Sequence, residues 1–466
     1  MRICIGIFVG ILTFSSTSPA QEEGLSRNQW LATKSKIEST GFVFDLQAHS
    51  PANALEPADN FAAHPLIAEN FTHAARKDPG STRLGKIDLR SVPDFPKPPL
   101  GFRTSPHRLF DLASRAGDAK LDRDQAAKIL LRALDTWKEE FLAVAEASGR
   151  PGCRFPFTWQ RPMLEVNYLV PGSLSSHLCW RALSHLQLRQ TEQAAADTTT
   201  LLELGRHQSS NPSGLGLLAT ISANESAIRA IRDGIELRRW DDESLASFDQ
   251  ELARIDYQSQ LERSFRFELA FSERISMDWI GGKLTADDFA PRTPKGLENP
   301  DVDAIYARLN SATKAIFDIV FEGAPNRPIP LPDRLRKMSE YAGAPGDRND
   351  AQSAVATKYS FGIRCLRNQA RVNQARLAIA IERARLKDGK LPEDLGQLSP
   401  NYLEKVPEDP VTGEPLRFGV LPDASILIYS VGWDGDDDGG SSVAPRGNRD
   451  GDGDWVWKMH QAKGAK

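Results

Sequence analysis

The chain has 466 residues, of which 40% are hydrophobic and 26% charged, an ordinary globular composition with enough length for a buried core. At about 150 residues per domain, this length predicts two or three domains. The formal net charge of −4 gives no electrostatic reason to expect nucleic acid or an anionic membrane surface as a partner.

The first 20 residues have the pattern of a secretory signal. Arg2 is the only charge before an apolar run from Ile3 to Phe14, and Pro19-Ala20 stand before an acidic stretch. The run has about 12 residues, whereas a membrane-spanning helix needs roughly 20. We therefore expect cleavage after Ala20 and export to the periplasm or cell envelope, with an uncleaved signal anchor as the alternative. No later segment predicts a transmembrane helix, so no integral membrane span is expected after processing.

Removal of this signal leaves three cysteines. This number is too small for a disulfide scaffold, and because it is odd, at least one cysteine would stay unpaired within the chain. Cys153 and Cys179 flank a proline-containing connection, residues 151–171, that could bring them together. An oxidising compartment then favours one bridge between them. Buried free thiols are the alternative.

Residues 21–110 show no regular periodicity. Prolines separate short apolar pieces, and residues 91–99 contain four of them, which excludes a helix there. We predict an irregular, Pro-rich arm that lies over the next domain, because its phenylalanines need burial. These phenylalanines are Phe42, Phe44, Phe61 and Phe71.

Residues 111–343 are predicted to form a helical domain. Apolar residues recur at three- and four-residue steps between Asp122 and Ser148, and Gly149 and Pro151 end that helix. The apolar positions are Leu130, Leu134, Trp137, Phe141 and Val144.

Further helices are predicted after that point in the same domain. A helix hairpin runs from Leu174 to Leu204 with its turn near Gln190, Asp241 begins another helix, and Val302–Phe321 forms one more. The hairpin has the length of a tetratricopeptide-type unit, but no second copy is found at a fixed spacing. We therefore predict an irregular helical domain, with a helix-hairpin arrangement as the alternative.

Residues 351–466 are predicted to form a C-terminal module after a linker at 342–350. One long helix runs from Ala351 to Lys387, and a short loop joins two strand candidates into an antiparallel hairpin. The strand candidates are Leu416–Val420, Ser425–Val431 and Trp455–Met459. The predicted fold class is mainly α, an irregular helical domain plus a small C-terminal α+β module of one long helix and a short antiparallel sheet.

Three motifs follow one another in this module. Asp388-Gly389-Lys390-Leu391-Pro392 ends the helix, Asp409-Pro410 opens the next segment, and Tyr429-Ser430-Val431-Gly432 precedes Trp433-Asp434-Gly435. In this order they resemble the C-terminal domain of the major pseudopilin of type II secretion, over residues 360–458. The resemblance implies a helix packed on a small antiparallel sheet and a calcium site in the loop after the Ser-x-Gly-x-Asp-Gly turn.

The N-terminal side of the chain departs from that family. A pseudopilin starts with a short leader, a Gly-Phe-Thr-Leu-Ile-Glu-type sequence and an apolar assembly helix, none of which is found here. We therefore do not expect polymerisation into a pilus. The whole chain also resembles uncharacterised exported planctomycete and verrucomicrobial proteins, through Glu56–Ala62, Cys153–Pro156 and the same tail. That resemblance implies no activity.

Residues 434–454 contain the one pattern with a chemical role. Asp434-x-Asp436-x-Asp438-Gly439 matches the first half of an EF-hand loop, and Asn448-x-Asp450-x-Asp452-Gly453 repeats the spacing. Pro445 and Met459 stand where an EF-hand has its bidentate glutamate, so neither segment is an EF-hand. Hard oxygen ligands without histidine or cysteine favour calcium over zinc. The predicted ligands are Asp434, Asp436, Asp438, Asp450, Asp452 and Asp454, with a solvated acidic turn as the alternative.

No pattern in the sequence predicts a catalytic centre. The eight histidines show no paired metal-ligand spacing, and no nucleophile elbow or phosphate-binding loop is present. Four tryptophans that could line a groove, Trp159, Trp180, Trp240 and Trp279, are better explained as core.

The favoured function is therefore that of an exported, non-enzymatic envelope protein. Its helical domain would bind a protein partner or scaffold an assembly, and calcium would stabilise its C-terminal module. An accessory component of a type II-like secretion or pilus system is the first alternative, and an exported metal-dependent enzyme is the second.

Overall fold

The computed structural model describes residues 25–49, 55–72, 75, 78–92, 122–156, 169–284, 301–321, 330–343, 348–423, 425–442 and 453–459. The predicted signal at 1–20 and the four prolines of 91–99 lie outside these residues. Within them, none of the helices combines the length and the hydropathy that crossing a membrane would require.

The described chain is mainly helical with a small antiparallel sheet, which confirms the predicted fold class. The helices are α1 (Leu25–Glu38), α2 (Arg123–Leu134), α3 (Lys138–Ser148), α4 (Leu169–Gln187), α5 (Thr191–Gln208), α6 (Gly214–Glu236), α7 (Asp242–Leu252), α8 (Tyr257–Ile280), α9 (Val302–Ala315), α10 (Leu331–Ala342) and α11 (Asp350–Asp388). The strands are β1 (Arg417–Val420), β2 (Ile426–Ser430) and β3 (Trp455–Met459).

These elements divide into two compact units, and each unit is made of segments that are not consecutive in the chain. The first comprises Met1–Ala52, Pro212–Leu215 and Gln258–Leu366, and the second comprises Asn53–Asn211, Gly216–Tyr257 and Arg367–Lys466. The four segments predicted from the sequence stay a prediction. Each compact unit is described separately below.

Helix α1 of the first unit was not predicted, because 21–110 was expected to be irregular. It buries Trp30 and Ile37, which are seven positions apart, and leaves Leu31 about half exposed. Such a sparse stripe lacks the three- and four-residue steps that identify an amphipathic helix. The Trp30 ring meets Phe44 edge-on at 5.8 Å, so tertiary packing stabilises this helix.

A buried ion pair lies in the core of the first unit. Lys358 Nζ donates to Glu268 Oε2, and the amide of Gly214 donates to Glu268 Oε1 at 3.0 Å. A Cβ at position 214 would lie 2.4 Å from that carboxylate, so glycine is required there. The carboxylate therefore satisfies one of the free amides at the start of α6.

The second unit is built from packed helices, of which α4 and α5 form a hairpin. Helix α2 packs on α4, α3 packs on α5, and α5 packs on α7. The predicted helix at 122–148 is two helices, joined by a 3₁₀ turn at Asp135–Trp137, and its predicted apolar positions are all buried. The predicted hairpin at 174–204 is confirmed as α4 and α5. Asp241 caps α7 as predicted, with its carboxylate accepting from the Ser244 amide at 2.8 Å.

One turn geometry recurs at the ends of three helices. At the end of α4 the amide of Gln190 donates to the carbonyl of His185, and Arg189 has a positive φ of 62°. At the end of α6 the amide of Arg239 donates to the carbonyl of Gly234, and Arg238 has a φ of 52°. The end of α8 repeats this pattern around Gly282, with a φ of 69°. These are Schellman ends, and the hairpin turn therefore has a second copy 49 positions after the first, from 189 to 238.

Part of the predicted arm is packed within the second unit. Phe61 stacks on the ring of His207 with 4.5 Å between centroids, and the amide of Phe61 donates to the carbonyl of Gly152. Asn60 Oδ1 accepts from the amide of Arg154 at 2.8 Å. Phe42, Phe44 and Phe61 are buried as predicted, and Phe71 is half-buried against Phe155.

The predicted strands pair as expected. Strand β2 is central in the described three-stranded sheet, antiparallel to β1 on one side and to β3 on the other. Ile428 pairs with Phe418 and Trp457 and has no solvent exposure. Helix α11 contacts this sheet through Gln374 Nε2, which donates to the carbonyl of Trp455.

The expected bridge between Cys153 and Cys179 is not formed. Both are buried free thiols, as is Cys365. Cys179 Sγ lies 3.5 Å from the carbonyl of Ser226, and burial raises the pKa of Cys179 to about 12. The thiols therefore pack as small apolar side chains with little thiolate character.

Candidate metal centre

The acidic loop leaves the sheet at the end of β2, where Asp409 fixes the backbone. Asp409 has no solvent exposure. Its Oδ1 accepts from the hydroxyl of Ser430 and the amide of Val411, both at 2.9 Å, and its Oδ2 accepts from the amide of Val431 at 3.0 Å. The Asp-Pro motif and the Tyr-Ser-x-Gly motif, separate in the sequence, are therefore joined at one buried carboxylate.

The two described ends of the acidic loop lie against each other. The amide of Gly453 donates to Asp434 Oδ2 at 2.7 Å, and the amide of Asp454 donates to the carbonyl of Ser441 at 3.0 Å. Gly432 has a positive φ of 73°, and a Cβ there would lie 2.3 Å from the carbonyl oxygen of Gly453. Glycine at 432 is therefore needed for this close approach.

The aspartates at 436–438 differ in their contacts. Asp437 pairs with Arg417, with 2.8 Å between its Oδ2 and Nε, and this contact lowers the pKa of Asp437. Asp436 and Asp438 are exposed. All three carboxylates are therefore on the solvent side of the loop, and Asp437 is in addition paired with an arginine.

Asp454, at the second end of the loop, is a buried carboxylate like Asp409, with an exposed fraction of 2%. Its Oδ2 accepts from the amide of Gly440 at 2.6 Å. Its Oδ1 is buried and has no hydrogen-bond partner among the described residues. Burial raises the pKa of Asp454, although hydrogen bonds from the backbone amides of Gly440 and Asp438 lower it; the charges of Asp437 and Asp438 raise it by less than burial does. A buried carboxylate oxygen without a donor is costly unless a cation or a proton neutralises it.

These observations test whether the residues present fit a calcium ion. Asp434, Asp436, Asp438 and Asp454 are hard oxygen donors on two segments held together, and one buried oxygen among them lacks a partner. The chemistry of these donors suits such an ion. Asp450 and Asp452 lie outside the described residues. In the described part of the chain, no three His, Cys, Asp or Glu side chains are already grouped around a metal position, so binding requires the carboxylates to converge.

Sequence reasoning missed the residues that hold this region from outside the loop. Asn373 Nδ2 donates to the carbonyl of Glu408 at 2.7 Å, and the adjacent Gln374 holds the carbonyl of Trp455. These two residues of α11 thus hold the backbone next to Asp409 and next to Asp454. The signal was an Asn-Gln pair, which this helix carries twice, at 368–369 and at 373–374, among alanines and arginines.

Most of the other residues considered for a site are buried, among those that the structure describes. Trp180, Trp240 and Trp279 are buried, and Trp159 lies outside the described residues. His177 is buried and meets Trp180 edge-on, while His185 lies 3.8 Å from Asp197.

Comparison of the chain with models of protein families, with curated proteins and with solved structures finds no match.

Proposed function

We propose that this chain is an exported, non-enzymatic protein of the cell envelope, whose helical part binds a protein partner or scaffolds an assembly. Calcium held by the acidic loop stabilises its C-terminal module. The observation that carries the proposal is Asp454 Oδ1, a buried carboxylate oxygen with no donor among the described residues, beside a loop with other carboxylates.

Electrostatics supports a cation at this position. Two carboxylates ~5 Å apart repel by roughly 3 kcal/mol at an effective dielectric constant of about 20. The loop therefore stays open around Asp436 and Asp438 unless a cation neutralises them. When bound, calcium would supply only charge neutralisation and coordination, with Asp434, Asp436, Asp438 and Asp454 as its ligands.

The scaffold part of the proposal is supported by the packed helices of the second unit. The connection from α4 to α5 and the connection from α6 to α7 share one turn geometry, and stacked helical hairpins form extended surfaces for protein recognition in other helical proteins. An accessory role in a type II-like secretion system is the second candidate. The long helix α11, followed by an antiparallel sheet and an acidic loop between β2 and β3, favours it.

The test is calorimetric titration of the purified protein with calcium chloride. We expect one bound ion, and we expect Asp438→Asn to weaken binding about tenfold or more, since it removes a charged ligand from an exposed position. The matched control is Asp437→Asn, which removes the same charge from the adjacent residue held by Arg417. It should change the affinity several-fold less.

Equal losses of calcium affinity in the two variants would indicate that calcium responds only to the overall negative charge of the loop and has no defined ligands there. An absence of calcium binding by the wild-type protein would leave the solvated acidic turn and contradict the proposal.

A further inference from the structure

Asp409 lies outside the acidic loop, yet it determines where the loop begins. The three donors to its carboxylate come from Val411, Ser430 and Val431, so the carboxylate joins its own turn to the end of β2. It has no solvent exposure, and hydrogen bonds to a buried carboxylate are among the stronger ones in proteins.

The hydrogen bonds continue from Asp409 to the loop. Ser430 Oγ donates to Asp409 and accepts from the amide of Gly432 at 3.4 Å. The backbone of Gly432 passes close to the carbonyl of Gly453, and Asp434, two positions later, accepts from the amide of Gly453. Contacts that start at Asp409 or end at the second segment of the loop thus place four residues of this stretch: Ser430, Val431, Gly432 and Asp434.

The turn that carries Asp409 is itself anchored. The amide of Asp409 donates to the carbonyl of Glu414 at 2.6 Å, and the carbonyl of Glu408 accepts from Asn373 of α11. Asp409 is therefore held by a helix and by its own turn before any ion binds.

We infer that Asp409 is the positioning residue of the calcium site: through Ser430 and Val431 it presets the first segment of the acidic loop, and so sets calcium affinity without touching the ion. This inference rests on the proposed function. Without Asp409 the loop must be ordered when the ion binds, and that ordering lowers the affinity.

The experiment compares calcium affinities of the full-length protein by titration with calcium chloride. Asp409→Asn should weaken binding about tenfold or more, and Ser430→Ala about threefold, because it removes one neutral donor from the same carboxylate. The matched control is Asp423→Asn, at the opposite end of β2, where the carboxylate accepts from Ser425 and pairs with Lys458. It should change the affinity less than about twofold.

Hydrogen exchange at the amides of 431–441, in the presence of a calcium chelator, gives a second readout. We expect faster exchange there in Asp409→Asn and Ser430→Ala than in wild type, with exchange in α4 and α5 unchanged. A purely structural role would lower the melting temperature and leave the affinity of the folded protein unchanged.

The outcomes separate the two proposals. Wild-type binding with unchanged affinity in both Asp409→Asn and Ser430→Ala would overturn the positioning role and leave the calcium site intact. If Asp409→Asn does not fold, Ser430→Ala alone decides. Wild-type protein that binds no calcium would overturn both.

Discussion

Asp197 and His207 lie on the same helix, α5, and burial shifts their pKa values in opposite directions. The pKa of Asp197 is raised to about 7, mainly by burial, although Arg181 at 3.4 Å lowers it. The pKa of His207 is lowered to about 4 by burial, against the hydrogen bond between its Nε2 and the carbonyl of Ser148 at 2.7 Å. Both shifts make folding stability depend on pH.

The signs of the two effects oppose each other. Folded Asp197 holds its proton more tightly than the unfolded chain, so its contribution is present at low pH and is lost as pH rises from about 4 through about 7. Between about pH 4 and 6.5, His207 is protonated in the unfolded chain and neutral in the folded protein. Its contribution to folding stability is therefore lost as pH falls from 6.5 to about 4. Each group changes the unfolding free energy by about 1.4 kcal/mol per pH unit, and between about pH 4 and 6.5 the two changes nearly cancel.

Replacing either of these two titratable groups should therefore reveal the pH dependence of the unfolding free energy that the other one causes. We expect the unfolding free energy of Asp197→Asn to rise with pH between 4.5 and 6.5 relative to wild type, and that of His207→Gln to fall, by roughly 1 kcal/mol per pH unit each. Urea denaturation at several pH values measures this. Parallel pH profiles for wild type and both variants would contradict the prediction.

At the scale of elements, the hairpin turns place arginine where glycine is favoured. Arg189 and Arg238 have positive φ values, whereas the equivalent turn after α8 uses Gly282. A side chain in this region costs of order 1 kcal/mol, part of which glycine loses again through the entropy of the unfolded chain. We predict that Arg189→Gly and Arg238→Gly each stabilise the protein by about 0.5 kcal/mol.

The control for these variants is Arg239→Gly, next to Arg238. Arg239 is not one of the residues with a positive φ, and its Nε donates to the carbonyl of Leu186 at 3.4 Å. Glycine there should destabilise. Thermal unfolding of the three variants decides the matter, and a loss of stability in both Arg189→Gly and Arg238→Gly would contradict the strain argument.

The same turns show why the recurrence of this turn geometry, at 189 and at 238, was not found in the sequence. The segments around Arg189 and Arg238 share only an aliphatic residue, a leucine and the arginine: Leu186, Leu188 and Arg189 against Ile235, Leu237 and Arg238. The hydrogen-bond pattern that they share is made by backbone atoms, which the sequence does not specify residue by residue. Helices with regular three- and four-residue steps, such as α2, α3 and α5, were predictable because one face of each is buried.

Predictability of the candidate site also ended at long-range contacts. The alternating aspartates of the loop and the three strands could be read from local patterns. The burial of Asp454 and the role of Asp409 could not, because each depends on segments that meet only in the fold: Asp409 with residues 430–431, and Asp454 with Gly440 and Ser441.

For the whole molecule, the proposed site makes calcium a condition of the stability of the C-terminal module. An ion that binds only the folded form stabilises it by RT ln(1 + [L]/Kd), about 2.7 kcal/mol at one hundred times Kd. Asp454→Asn should act in two opposite ways. It should stabilise the calcium-free protein by about 1 kcal/mol, since it removes a buried charge with an unpaired oxygen, and it should abolish the stabilisation by calcium.

Thermal unfolding of the full-length protein in millimolar calcium and in chelator tests this claim most directly, with magnesium as the control ion. We expect calcium to raise the melting temperature of the wild-type protein by several degrees and magnesium to raise it less. We expect Asp454→Asn to melt above wild type in chelator and not to respond to calcium. Identical wild-type transitions in calcium and in chelator would contradict it.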